Sequence, residues 1–252
     1  MDEVELTTFQ VEVAHTFFRL MASEGYVVAG GAALVASQLI RRPTKDLDLF
    51  TSAPVVSVTA AKESFLKALS RRRWTVTVIH DSPTFCRLVV TDRDDEVLVD
   101  LAIDSPPHLA PTMTLLGPTL APLELAGRKL LALFDRAEAR DFADVYSLAE
   151  RFGQDALLNE ASAADPGFNM QVLAQMMRTL DRFPTMRSRL QLKLCLRYGC
   201  SSPDGPQSSA VTDSDNRPSP TSIDFLGTQT NPPFLGSIPQ PKVGIAHRAR
   251  TR

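Results

Sequence analysis

Cysteine, histidine and tryptophan are scarce in this sequence, and charge of neither sign dominates. The chain has 3 cysteines, 4 histidines and 1 tryptophan in 252 residues, and its formal net charge is -2. Cys86, Cys195 and Cys200 are odd in number and lack the spacing of a zinc site, so neither a disulfide framework nor a zinc centre is indicated. The near-neutral charge excludes wholesale basicity, and a nucleic-acid partner would have to use local patches.

Long hydrophobic runs are also missing. No apolar stretch approaches the roughly 20 residues that a membrane-spanning helix needs. The amino-terminal segment MDEVELTTFQ is acidic, whereas a secretory signal is basic and then apolar. We therefore expect a cytoplasmic protein that has no membrane partner. Hydrophobic residues make up 44% of the chain, which is enough for at least one substantial core.

The patterns in residues 1–110 predict an α/β domain of the mixed, α+β kind, with helices on a mixed sheet. The turn residues between the last three strand patterns indicate an antiparallel meander. From hydrophobic periodicity we expect helices at residues 5–23, 32–40 and 57–73, and strands at residues 26–29, 46–50, 75–80, 85–91 and 96–103.

Beyond this domain the sequence predicts a helical carboxyl-terminal part at residues 120–198. Its helix patterns are strong at residues 122–135 and 138–152 and weaker at 168–182. Residues 201–252 are rich in proline and serine and poor in large apolar groups. Because such a segment buries too little apolar surface to offset its ordering entropy, we expect a disordered tail.

Two aspartates alternate with leucines in the predicted strand at residues 46–50. Period-two alternation places Asp46 and Asp48 on one strand face, where hard carboxylate oxygens can bind divalent cations. Two-metal phosphoryl or nucleotidyl transfer requires such a pair, and a carboxylate on a neighbouring strand usually completes it. Asp100, within an apolar run, is the candidate because a buried acid needs a partner or a metal.

Alternative interpretations remain open for these acids. An Asp-x-Asp pair on an edge strand is most often a solvated face. Alternation could also point Asp100 outward, which would leave Asp104 as the functional acid.

A Gly-Gly pair joins the first predicted strand to the following helix. The backbone N–H groups of Gly30 and Gly31, with the positive end of that helix, could bind a triphosphate. A tight turn that needs small residues is the simpler alternative. A dinucleotide-binding loop is disfavoured because residues 29–34 lack the G-x-G-x-x-G spacing and the later strands form hairpins.

The helical part adds candidate charges. Lys129 either extends to solvent like an ordinary surface lysine or neutralises nucleotide phosphates. Asp141 is either a functional acid or a first-turn residue favoured by the helix dipole. Near Asp46, the basic residues Arg41, Arg42 and Lys45 are equally consistent with nucleic-acid backbone contacts and with a solvated edge.

Three blocks of the sequence carry a resemblance to a known family. They are VVAGGAALVASQLIRRPTKDLDLF (residues 27–50), VLVDLAID (97–104) and ELAGRKLLALFDRAEARDFADVYSLAERFG (124–153). Together they resemble the AbiEii/AbiGii nucleotidyltransferase toxins, including the MenT-like toxins, in the DNA polymerase beta-like superfamily.

The resemblance implies a toxin of a toxin–antitoxin or phage-defence system. Such an enzyme transfers a nucleotide from a nucleoside triphosphate to an acceptor, which in some relatives is the 3′ end of tRNA, with Mg²⁺ or Mn²⁺ as cofactor. A cognate antitoxin is the implied partner.

The same resemblance assigns roles to individual residues. Gly30 and Gly31 match the nucleotide-binding glycines, and Asp46 and Asp48 the metal-binding pair. Lys129 matches a triphosphate-binding lysine and Asp141 a further functional aspartate, with Asp100 as the third metal carboxylate.

Two other functions stay open at this stage. The enzyme could modify a small molecule such as an antibiotic, or the chain could be an inactive remnant that acts only as a binding protein. Members of the family usually continue with helices where this chain becomes rich in proline and serine. If the helices help to form the acceptor site, the activity of this chain could be reduced or its acceptor could differ.

Overall fold

A seven-stranded mixed sheet organises the computed structural model of the chain, which describes residues 6–52 and 57–184. The predicted disordered tail lies outside the described residues. In chain order the strands are β1 (Val27–Ala29), β2 (Asp46–Thr51), β3 (Thr75–Asp81), β4 (Phe85–Asp92), β5 (Asp95–Ile103), β6 (Thr112–Thr114) and β7 (Gly117–Thr119).

The strand order is β3-β4-β5-β2-β1-β7-β6. Strands β3, β4 and β5 form the predicted antiparallel meander, whereas β2 runs parallel to β5 and antiparallel to β1. Strand β2 is therefore an interior strand, with β5 on one side and β1 on the other. The edge-strand interpretation of its two aspartates is wrong. The mixed α/β fold class is confirmed.

Seven helices accompany the sheet in the described part of the chain. Three belong to the first half, namely α1 (Thr8–Phe18), α2 (Gly30–Ala36) and α3 (Val58–Arg71). The others are α4 (Pro122–Arg136), α5 (Ala139–Phe152), α6 (Gln154–Ala164) and α7 (Met170–Arg178).

Some boundaries differ from the sequence prediction. The first helix is shorter because the Thr7 side chain caps its start, accepting from the Gln10 N–H, and a 3₁₀ turn replaces its predicted end. Helix α2 begins at Gly30 rather than at residue 32, so the glycines belong to the helix itself. Helix α6 and strands β6 and β7 were not predicted, and each strand has only 3 residues.

One part of the core lies on the face of the sheet where α1 and α3 pack, and the same cluster of buried residues extends into α2 and α4–α7. Leu47 and Leu49 of β2 point to this face and are fully buried. The alternation of burial along β2 puts Asp46 and Asp48 on the opposite face. Gly30, the first residue of α2, adjoins the Asp48 carboxylate on that face, and α2 also contacts α4, the helix that carries Lys129.

Candidate active site

Three charged residues form a row across adjacent strands on the face opposite the core. In the strand register, Asp48 of β2 is the neighbour of Asp100 on β5, and Asp100 is the neighbour of Arg87 on β4. Neighbouring residues in register point to the same face of a sheet. Asp46 lies two residues before Asp48 on that face. The sequence-predicted carboxylates Asp46, Asp48 and Asp100 are thus brought together.

Asp48 is the most perturbed acid of this group. Desolvation raises its pKa to about 7, and the negative charges of Asp100 and Asp46 act in the same direction. The positive charges of Lys129 and Arg87 lower it, but they do not compensate. A desolvated carboxylate among like charges is a common feature of functional sites. An additional cation beside Asp48 would therefore stabilise its ionised form, which burial and the neighbouring acids disfavour.

Arg87 holds the third carboxylate. Its Nε donates to Oδ1 of Asp100 at 2.7 Å and its Nη2 donates to the other oxygen, Oδ2. The hydrogen bonds to Asp100 raise the pKa of the Arg87 guanidinium further above its ordinary value. Asp100 itself is only 9% exposed. The pairing gives this buried acid the partner that it requires, whereas Asp48 has no comparable partner within residues 6–52 and 57–184.

Gly30 brings the backbone against the Asp48 carboxylate. Ala29 of β1 is the register neighbour of Asp48, and Gly30 follows it with φ at +64°, in the left-handed region. A Cβ at Gly30 would lie 1.8 Å from Oδ2 of Asp48. Only glycine satisfies both the conformation and the space at this position. The turn and the carboxylates therefore form one continuous surface.

Gly31 faces a different neighbour. A Cβ on it would lie 3.1 Å from Oγ1 of Thr44 and 3.4 Å from Nη2 of Arg42. The loop between α2 and β2 thus returns over the glycine turn and brings the Arg42 guanidinium to it. This places a cation of the basic segment beside the predicted phosphate-binding glycines.

A buried network of charges connects this loop to the helical part. Arg42 donates to both oxygens of Asp144, through Nε at 3.0 Å and Nη2 at 2.8 Å. Lys129 Nζ lies 3.2 Å from Oδ2 of Asp144 and 3.3 Å from Oδ1 of Asp141. Arg136 in turn donates to both oxygens of Asp141. The acids alternate with cations, and each buried carboxylate has two cationic partners.

The network decides how Lys129 and Asp141 are to be interpreted. Lys129 is 7% exposed, so the surface-lysine alternative is wrong. Burial alone would raise the pKa of Asp141, but the hydrogen bonds from Arg136 and the charge of Lys129 lower it below its ordinary value. Asp141 is also part of a capping box at the start of α5, where the Glu138 N–H donates to it. It is therefore a first-turn residue and a partner of Lys129 at the same time.

The outer edge of the site is more open. Asp46 has a side chain that is 42% exposed, and Oδ2 of Asp46 lies 3.9 Å from Nη1 of Arg140, whose side chain is 45% exposed. Arg41 and Lys45 are exposed on the preceding loop. This open edge, the rim of the site, thus consists of the solvent-accessible carboxylate of Asp46 and the cations Arg140, Arg41 and Lys45.

Some functional candidates from the sequence lie elsewhere, and some residues were missed. Asp104 accepts a hydrogen bond from Arg128 Nη1 at 2.7 Å, outside the row of Asp48 and Asp100. Arg87, Asp144 and Arg136 had not been given a role. For Arg87 a signal existed, because a two-residue turn after Asp92 fixes the β4–β5 register and brings Arg87 opposite Asp100.

The carboxylate donors fit a hard divalent cation in chemistry. Among residues 6–52 and 57–184, no set of three or more His, Cys, Asp or Glu side chains is arranged as a metal site. The oxygen donors on Asp46 and Asp48 nevertheless match what Mg²⁺ or Mn²⁺ prefers. Desolvation and the neighbouring acids raise the pKa of Asp48, so a bound cation would stabilise its charged form. Over the same residues, no helix combines the length and the apolar character needed to cross a membrane.

A mixed sheet that presents paired aspartates beside a strand–Gly-Gly–helix turn defines a nucleotidyltransferase. The chain belongs to the AbiEii family: the family model described as nucleotidyl transferase AbiEii toxin, type IV TA system, matches residues 19–165. The matched segment contains the glycine turn, all three strand carboxylates and the Lys129 network. No curated protein sequence matches the chain.

Solved structures include similar chains at low identity. An H. pylori protein assigned as a nucleotidyltransferase is 18% identical, with a TM-score of 0.49, over 72% of this chain and 82% of that one. The antibiotic-resistance factor ANT(2'')-Ia is 14% identical, with a TM-score of 0.44, over 63% and 92%. The Megavirus polyadenylate synthase is 11% identical, with a TM-score of 0.42, over 57% and 32%.

Proposed function

We propose that this nucleotidyltransferase toxin uses Mg²⁺ or Mn²⁺ to transfer a nucleoside monophosphate from a nucleoside triphosphate to an RNA acceptor, of which the 3′ end of tRNA is the first to test. A cognate antitoxin would restrain it. The observation that carries the proposal is the group Asp46, Asp48 and Asp100 beside Gly30, in which Asp48 has no ion-pair partner like that of Asp100 among the described residues.

The metal would be held by Asp46 and Asp48, with Asp100 alongside. When bound, it would neutralise triphosphate charge and make the acceptor hydroxyl a better nucleophile. The chain's contribution is to fix these oxygens: strand β2 projects Asp46 and Asp48 from the same face, and Gly30 limits the space available to the Asp48 side chain. Such fixed oxygens need little reorganisation during the reaction.

The triphosphate would lie between the glycine turn and the buried cations. In the reaction, the acceptor hydroxyl oxygen forms a bond to the α-phosphorus, the bond from that phosphorus to the bridging oxygen of the β-phosphate breaks, and pyrophosphate leaves. The hydroxyl proton passes to solvent water at the same step. Backbone N–H groups at Gly30 and Gly31 are suited to phosphate oxygens, and Arg42 supplies positive charge beside Gly31. Lys129, which contacts the same Asp144 carboxylate as Arg42, would add a second cation.

The open rim supports a large acceptor. Asp46 is substantially exposed, so an acceptor end can approach this carboxylate from solvent. Arg41 and Lys45 on the adjacent loop are exposed and can contact a phosphate backbone. These local cations satisfy the condition that a protein of net charge -2 must bind nucleic acid through patches.

The experiment is a transfer assay with each α-labelled nucleoside triphosphate, Mg²⁺ or Mn²⁺, and total tRNA. Asp48→Asn is the site variant. Asp94→Asn, an exposed acid in the β4–β5 turn, is its matched control. Label on tRNA that requires metal and Asp48 supports the proposal. Label on an aminoglycoside supplied instead of RNA would favour the small-molecule alternative, and no transfer to either acceptor would refute the proposed reaction and favour the inactive-remnant alternative.

A further inference from the structure

Arg87 is the charged residue of the site that no motif includes. It belongs to β4, outside the glycine turn, the Asp-x-Asp strand and the helical block. Its register neighbour is Asp100, whose own neighbour on the other side is Asp48. Arg87 therefore ends a row that leads directly to the Asp48 carboxylate.

The contact between Arg87 and Asp100 has the geometry of a fork. Nε and Nη2 each donate to a different carboxylate oxygen, Nε at 2.7 Å to Oδ1. A planar guanidinium that bonds both oxygens fixes the plane of a carboxylate as well as its position. The aromatic ring of Phe85 lies under the guanidinium, with Cζ 5.5 Å from the ring centre, and limits its movement.

Core packing does not account for this arginine. Arg87 alternates with the buried Cys86 and Leu88, so its side chain lies on the face away from the core and is 29% exposed. An unpaired Asp100 would be repelled by Asp48 and would be free to rotate its carboxyl group. The pair therefore fixes the position of Asp100, in addition to the stabilisation that any cross-strand pair of opposite charge gives a sheet.

We propose that Arg87 is a positioning residue that fixes the carboxylate plane of Asp100 next to Asp48, so that Asp100 can act as the third acid of the metal-dependent transfer. This inference rests on the proposed function. It makes Arg87 necessary for the chemical step, while the nucleoside triphosphate contacts remain with the glycine turn and with Lys129 and Arg42.

A role in charge balance alone makes the opposite prediction for metal affinity. If Arg87 only offset negative charge, its removal would strengthen the binding of a divalent cation, because a competing positive charge would be lost. If Arg87 orients Asp100, its removal weakens cation binding despite that gain. Lysine separates the two roles again, because it keeps the charge but lacks the bidentate fork.

The test compares Arg87→Gln and Arg87→Lys with wild type and with Arg72→Gln. Arg72 is a suitable control because it also pairs with an acid and lies over an aromatic ring, but on the α3 side of the molecule. Binding of Mn²⁺ alone is measured by electron paramagnetic resonance, and kcat and KM for the preferred nucleoside triphosphate are measured separately. Circular dichroism and thermal melting verify folding of each variant.

We expect both Arg87 variants to bind Mn²⁺ more weakly and to lose kcat, by about 10- to 100-fold as is usual for residues that orient metal ligands. KM for the nucleoside triphosphate should change by less than about twofold, since uniform binding contacts are retained. Arg72→Gln should match wild type in both assays.

Several outcomes would overturn the inference. They are unchanged or tighter Mn²⁺ binding in Arg87→Gln, full kcat in Arg87→Lys, or an effect confined to KM. If wild type binds Mn²⁺ but transfers no nucleotide, the proposed reaction fails while the Mn²⁺ comparison still decides the role of Arg87. Loss of folding in Arg87→Gln with normal folding of Arg87→Lys leaves the decision to the lysine variant.

Discussion

The raised pKa of Asp48 predicts that the site destabilises the metal-free protein at neutral and alkaline pH. Asp48→Asn removes the titrating group and keeps the side-chain shape. We expect the variant to be more stable than wild type at pH about 8 and to lose nearly all of this advantage at low pH. The direction follows from proton linkage. A carboxyl group that is harder to ionise in the folded protein binds more protons there than in the unfolded chain, so stability falls as the pH rises from the unfolded-state pKa to the folded-state pKa.

The size of the effect follows from the two pKa values. The pKa of Asp48 rises from 3.8 to about 7 on folding, so the penalty accumulates between pH about 4 and about 7 and is constant above. Each unit corresponds to about 1.4 kcal/mol, which gives a ceiling of about 4 kcal/mol in total and about 3 kcal/mol between pH about 5 and about 8. For a chain of this size, about 3 kcal/mol shifts Tm by roughly 6–12 °C.

Thermal or urea unfolding with a chelator present, at pH about 5 and about 8, measures this difference. Asp94→Asn is again the control, since an exposed turn acid should show no such pH-dependent difference. Equal stability differences at the two pH values for Asp48→Asn would show that Asp48 ionises normally in the folded protein. The electrostatic argument for a cation site at Asp48 would then be wrong.

Three further predictions concern the same site. Adding Mg²⁺ at pH about 8 should raise the Tm of wild type but not of Asp48→Asn, because the stabilising cation needs that carboxylate; equal shifts in both would contradict it. Gly30→Ala should abolish transfer and lower the free energy of unfolding by at least about 1–3 kcal/mol, because the added Cβ would overlap Asp48 and φ is +64°. A smaller effect than that of Gly31→Ala would refute this prediction. Lys129→Met should lower the free energy of unfolding, measured with urea, by about 3–5 kcal/mol, because Asp141 and Asp144 lose a buried partner. Stability near that of the wild type would argue against the network.

Local patterns were sufficient to predict most of the sheet. Residues 46–49 alternate strictly between Asp and Leu, and β2 keeps that alternation, with Leu47 and Leu49 buried and the aspartates on the opposite face. The hairpin turns likewise predicted the β3–β4–β5 meander. What alternation cannot reveal is the position of a strand in the sheet, because pairing of β2 with β5 depends on contacts far apart in sequence. For this reason the sequence alone could not exclude that β2 is an edge strand.

The same limit applies to the charges of the site. Periodicity shows that Asp141 begins a helix, but it does not show that Arg42, some hundred residues away, reaches Asp144 in that helix. A propensity argument also places glycine in turns without specifying φ, so the contact of Gly30 with Asp48 emerged only with the fold. Short elements such as β6 and β7 carry too few residues for any periodic signal.

The site divides its charges unevenly, and the division is informative. Asp100, Asp141 and Asp144 each have bidentate arginine partners, whereas Asp48 is influenced by cations only at a distance. A fold selected for stability alone would pair all four acids or replace the unpaired one, since a desolvated carboxylate among like charges is costly. Leaving Asp48 uncompensated makes sense if a cation binds there during the enzyme's working cycle. In that case the arginines would fix the surrounding acids, and the Asp48 carboxylate would supply affinity for the cation.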